Sequence, residues 1–138
     1  MKKILILALG ALAMISCAKQ PCDARHTCWA YDATIYELNT RQATPEGTFA
    51  AAEALLPEIK ESGVDIIWIM PIQKIGVLER KGTLGSYYAI TDYCEFNPEF
   101  GTRADFEHFR AKAHELGMKV ILDWVANHTA PDSEWTKN

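Results

Sequence analysis

Apolar residues gather in three short runs, and the two stretches that follow the first two runs repeat their apolar positions every three to four residues. Ala33–Asn39 (ATIYELN) is β-branched and aromatic and predicts a strand. Thr48 is placed to cap a helix that carries Phe49, Ala52, Leu55, Leu56 and Ile59 on one face and ends at Gly63. Pro57 falls inside that helix, where it removes a ladder bond and predicts a kink. Val64–Met70 (VDIIWIM) is almost unbroken in apolar character and stops at Pro71, as in a parallel strand covered on both faces. A second helix starts at Thr102, which pairs with Asp105 as a capping box, and Phe106, Phe109, Ala113 and Leu116 line one side before Gly117. Met118–Val125 predicts the third strand. Strand, helix, strand, helix, strand predicts right-handed βαβ units and an α/β fold with a parallel sheet.

One connection breaks the rhythm. Residues 71–101 join the second strand to the second helix, where about 2–6 residues are usual. The segment leaves the C-terminal end of a strand, the end at which parallel α/β folds build their sites. It is rich in Tyr87, Tyr88, Tyr93, Phe96 and Phe100, with Asp92 before one tyrosine, and is expected to be ordered. Asp123 closes the third strand on the same rim, followed by Asn127 and His128. A strand-end aspartate can simply cap a loop, and an asparagine can form its own turn. Three polar groups converging beside aromatic rings favour a ligand site, because a ring offers a flat platform to a sugar's C–H face while polar groups meet its hydroxyls. Phe96 and Phe100 are expected to fasten the loop instead.

The N-terminus adds a separate expectation. Lys2 and Lys3 precede twelve uncharged residues, Ile4–Ile15, then Ser16 and Cys17, which reads as a signal peptide over residues 1–16. The apolar stretch is shorter than the about 20 residues that span a bilayer. Met14-Ile15-Ser16-Cys17 resembles the lipobox of bacterial lipoproteins, with plain secretion as the alternative. That resemblance implies lipidation at Cys17, a tether over 17–31, and a bacterial periplasmic or cell-envelope location with membrane attachment through the lipid. The net charge of −4 becomes more negative when both lysines leave, which argues against nucleic acid as a partner. Cys22 and Cys28 are close enough to pair, with unrelated thiols as the alternative, and Cys94 is expected to be buried. No Cys-x-x-Cys pair suggests a zinc site.

Four stretches together carry a family resemblance. ATIYELNTRQATPEGTF (33–49), GVDIIWIMPI (63–72), GSYYAITDY followed by NPEFGT (85–102) and DWVANH (123–128) are similar, in this order and spacing, to segments of the α-amylase family of glycoside hydrolases, family 13. The resemblance covers roughly residues 29–135 and implies that 32–138 is the N-terminal part of a catalytic (β/α)8 barrel. Tyr88 matches the tyrosine that stacks under the sugar in the cleavage subsite. His128 matches the histidine that bonds that sugar's hydroxymethyl group. Asp123 matches the buried aspartate that supports the active-site arginine on the next catalytic strand, Asp92 accompanies the tyrosine loop, and Asn127 matches a position that binds structural calcium in many relatives. Trp124 stands where the family usually has valine.

The implied chemistry is retaining hydrolysis of α-glucosidic bonds in starch-like glucans or maltooligosaccharides. The three catalytic carboxylates of the family lie on later strands, so none of the residues here is expected to be catalytic. The chain is expected to be a truncated piece of a longer enzyme and, alone, neither a stable monomer nor active. The rivals are a non-catalytic glycan-binding lipoprotein built on the same barrel, and an α-glucanotransferase or α-glucosidase of the family.

Overall fold

The computed structural model describes residues 27–137. The segment expected to be a signal peptide (residues 1–16), Cys17 as the expected lipidation position and Cys22 as the expected partner of Cys28 lie outside the described residues. The chain divides into two units, Met1–Asp32 and Ala33–Asn138. In the first, a 3-10 turn spans Cys28–Ala30, and Cys28 is disulfide-bonded.

The second unit runs β1 (Ile35–Leu38), α1 (Thr40–Ala43), α2 (Phe49–Glu53), α3 (Leu56–Glu61), β2 (Ile66–Ile69), β3 (Gln73–Ile75), β4 (Ile90–Phe96), α4 (Arg103–Glu115) and β5 (Lys119–Leu122). The expected strands are β1, β2 and β5, which form one parallel sheet with β2 in the middle. Neighbours in register share a face, so Leu38, Ile69 and Leu122 lie side by side on the helix-covered side. Ile35, Ile66 and Trp68 fall on the opposite face with Glu37 and Ile121.

The core lies between the sheet and α2, α3 and α4. Phe49 is fully buried at its centre, edge-on to Phe96, Phe100 and Phe106 at ring separations of 6.1, 6.0 and 5.4 Å. Phe96 and Phe100 thus fasten the long connection to the helices, as expected. The capping box of α4 is formed: Thr102 N–H donates to Asp105 Oδ2 at 2.7 Å, and Asp105 N–H returns a bond to Thr102 Oγ1 at 3.2 Å. Gly63 and Gly117 adopt φ of +89° and +79°, the left-handed conformation expected of them past helix ends.

Two expectations need correction. Residues 49–61 form two short helices in place of one kinked helix, parted by a turn at Ala54 and Leu55. Pro57 lies in the first turn of α3, where its missing N–H has no ladder partner to lose. Cys94 is exposed, not buried. Gln73 pairs with Phe96 while its neighbour Lys74 pairs with Asp92, so residues 93–95 bulge from the β3–β4 ladder and carry Cys94 outward. That antiparallel hairpin, which orders the long connection, has no counterpart in the periodicity of the sequence.

Candidate functional site

Because β1, β2 and β5 are parallel, their C-terminal ends share a rim. Asp123 follows β5 directly, and its N–H still donates to Ile69 O at 2.8 Å, so the ladder itself fixes where the carboxylate emerges. Asp123 Oδ2 accepts a hydrogen bond from the Tyr88 hydroxyl at 2.9 Å. Burial pushes the Tyr88 phenol up to about 12, helped by the bond to Asp123 and by the negative charges of Asp123 and Glu37. At neutral pH the phenol therefore keeps its proton and holds the carboxylate in place.

His128 completes the cluster. Its Nε2 lies 3.2 Å from Tyr88 O and its Nδ1 lies 3.3 Å from Asn127 Oδ1. A neutral imidazole has one N–H, so it donates to one of these oxygens at a time. The loop bearing it is pinned from below by Tyr93, whose hydroxyl is 2.6 Å from Val125 O and 2.8 Å from His128 O. The Tyr93 ring stacks on Trp135 at 4.9 Å and leans on Trp124 at 5.3 Å. Tyr88, Asp123, Asn127 and His128 are thus brought together.

Asp92 is not brought in. It lies in β4, and its Oδ1 accepts from Cys94 N–H at 2.8 Å, a local turn contact within the bulge. Asn127 offers one amide oxygen, already beside His128, and among the described residues no group of three or more His, Cys, Asp or Glu side chains surrounds a metal-sized space. No step below runs through a metal.

Three residues of this corner carried no role in the sequence. Asn39 Nδ2 donates to the Tyr87 hydroxyl at 2.8 Å. Arg41 donates to Gly85 O at 2.9 Å and lies over the Tyr87 ring, 4.9 Å from its centroid. The available signal was position: Asn39 and Arg41 follow β1 on the same rim as the tyrosine loop.

Chemically, the cluster presents a protonated phenol, an imidazole and one carboxylate on an open rim. A single carboxylate bound to a phenol cannot serve as both nucleophile and general acid. The arrangement suits holding a polyhydroxylated ligand.

Comparison with known proteins agrees with this architecture. Residues 32–138 match the family described as "Alpha amylase, catalytic domain". The α-amylase MalA of Haloarcula japonica is 37% identical over 116 residues, covering 82% of this chain and 16% of that protein. An α-glucosidase of Apis mellifera is 30% identical over 140 residues, 98% of this chain and 23% of that one. The crystal structure of an α-amylase from Lactobacillus plantarum superposes with a TM-score of 0.75 at 52% identity, over 76% of this chain and 25% of that chain. The chain thus spans about a quarter or less of the length of each of these relatives. On the match over residues 32–138 and the shared parallel α/β architecture, the chain belongs to the α-amylase family of glycoside hydrolases.

Proposed function

We propose that this chain supplies part of the sugar-recognition rim of an enzyme that cleaves α-glucosidic bonds in starch-like glucans or maltooligosaccharides with retention of configuration. The observation that supports it most is the Tyr88–Asp123 hydrogen bond of 2.9 Å with His128 Nε2 3.2 Å from the Tyr88 carbonyl. In this reading the Tyr88 ring is the apolar floor for a glucosyl unit, and Asp123 fixes its tilt. His128 turns from Tyr88 O to a sugar hydroxyl when substrate arrives. Asp123 acts through Tyr88 and is a positioning residue, not the nucleophile.

The retaining mechanism needs two further carboxyl groups about 5–5.5 Å apart, one attacking the anomeric carbon and one protonating the leaving oxygen. We assign these to barrel strands beyond the three formed by β1, β2 and β5. What the present residues contribute is orientation, which lowers the barrier by holding the scissile bond before those acids. Sugar binding is tested by titrating the chain with maltotriose while following the side-chain resonances of Tyr88 and His128. Saturable shifts confined to this corner are expected, and shifts at neither residue in a chain whose spectrum shows it folded contradict the reading.

We further propose export through residues 1–16 and lipid attachment at Cys17. Incorporation of labelled fatty acid that persists in Cys17→Ala would contradict the attachment.

A further inference from the structure

Arg41 makes more contacts than a surface arginine needs. Its side chain is only 14% exposed, although it lies in the short helix directly after β1. Nη1 donates to Gly85 O at 2.9 Å, and Nη2 reaches Leu84 O at 3.3 Å and Glu99 Oε2 at 2.9 Å. The guanidinium carbon lies 4.9 Å from the centre of the Tyr87 ring. Asn39 reinforces the same point through its bond to the Tyr87 hydroxyl at 2.8 Å. Residues 84–87 are therefore tied to the end of β1 by two bonds to backbone carbonyls, one bond to the Tyr87 hydroxyl and one ring contact.

Tyr88 is the next residue along that backbone. Its phenol meets Asp123 after β5, and its carbonyl meets His128. We infer that Arg41 is a positioning residue for Tyr88: it fixes Leu84–Tyr87 against β1 so that the phenol reaches Asp123 and the carbonyl reaches His128. The inference rests on the sugar-binding reading only for its consequence in catalysis; the geometry stands without it. A hydrogen bond of 2.9 Å is lost once its partners separate by more than about half an ångström beyond the usual range, so modest drift of the Gly85 carbonyl is enough. Lysine is a poor substitute, since an ammonium is a point charge that cannot cover two carbonyls, a carboxylate and a ring face in one plane.

The test uses the full chain with tyrosine labelled at the ring carbon bearing the hydroxyl, and the Tyr88 signal assigned through Tyr88→Phe. Arg41→Met and Arg41→Lys are compared for unfolding midpoint, Tyr88 signal and maltotriose affinity. In folded Arg41→Met the Tyr88 signal is expected to move towards that of free tyrosine, with Arg41→Lys restoring it only in part. Maltotriose affinity is expected to fall about tenfold or more. A lower midpoint with an unmoved Tyr88 signal would make Arg41 a plain stabiliser and overturn the inference. If Arg41→Met does not fold, Arg41→Lys, which keeps the charge but not the planar fork, decides in its place: a moved Tyr88 signal supports the inference and an unmoved one overturns it. If the signal moves while the parent chain binds no maltotriose, Arg41 keeps its role and the sugar reading fails.

Discussion

The Tyr88 hydroxyl donates to Asp123 across 2.9 Å, joining residues 35 positions apart in the chain. The bond links the connection after β2 to the end of β5, and it replaces water as partner to both groups. Tyr88→Phe keeps the ring and removes the donor, leaving a half-buried carboxylate short of one partner. A loss of roughly 1–3 kcal/mol in unfolding free energy is expected, read by urea denaturation. An unchanged midpoint would mean that solvent already serves Asp123.

Alkali should report the same bond. A tyrosine ordinarily titrates near 10, and Tyr88 is raised to about 12. The fold thus holds this proton more tightly than the unfolded chain does. Its stabilising contribution is complete below pH 10 and is lost as the pH rises through about 12. Near-ultraviolet titration should show one tyrosine ionising later than the rest, and Tyr88→Phe should abolish that late step.

The acid limit involves the loop after β3. Asp132 Oδ2 accepts from Val77 N–H at 2.8 Å and Leu78 N–H at 3.2 Å, and these bonds hold its carboxyl below the usual range. A depressed carboxyl stabilises the fold above its ordinary value and loses that effect as the pH falls through its lowered one. Asp132→Asn should remove this acid dependence and speed proteolysis between Val77 and Leu84, and cleavage at the parental rate would contradict it.

Gly76 makes that contact possible. A Cβ there would lie 2.2 Å from Asp132 Oδ1 and 2.6 Å from Ala130 Cβ, so the aspartate must move. Gly76→Ala is expected to cost about 1–3 kcal/mol and to loosen the same loop. A variant as stable as the parent would show that the loop shifts freely.

The sequence revealed what rests on periodicity and local chemistry. The three parallel strands, the Thr102–Asp105 box and the glycines past the helix ends follow from side-chain spacing and φ preference. Asp123, Asn127 and His128 could be placed on one rim because they adjoin a strand. The hairpin of β3 and β4 was hidden because its ladder shifts register and has no regular alternation. Arg41 and Tyr87 were hidden because their partners lie 44 and 48 residues from Arg41 and Asn39, where no local pattern records them. Pro57 opens a new helix and does not kink a longer one, because in a first turn its missing N–H removes no ladder bond.

The central claim, that Tyr88 and His128 form a glucan-binding rim, is tested most directly in a complete barrel. Residues 32–130 can replace the matching segment of the Lactobacillus plantarum α-amylase, to which this chain is 52% identical over the aligned region. The chimera is expected to hydrolyse starch, and Tyr88→Ala and His128→Ala each to lower kcat/KM about a hundredfold. A folded chimera whose two alanine variants hydrolyse starch at its own rate would contradict the account.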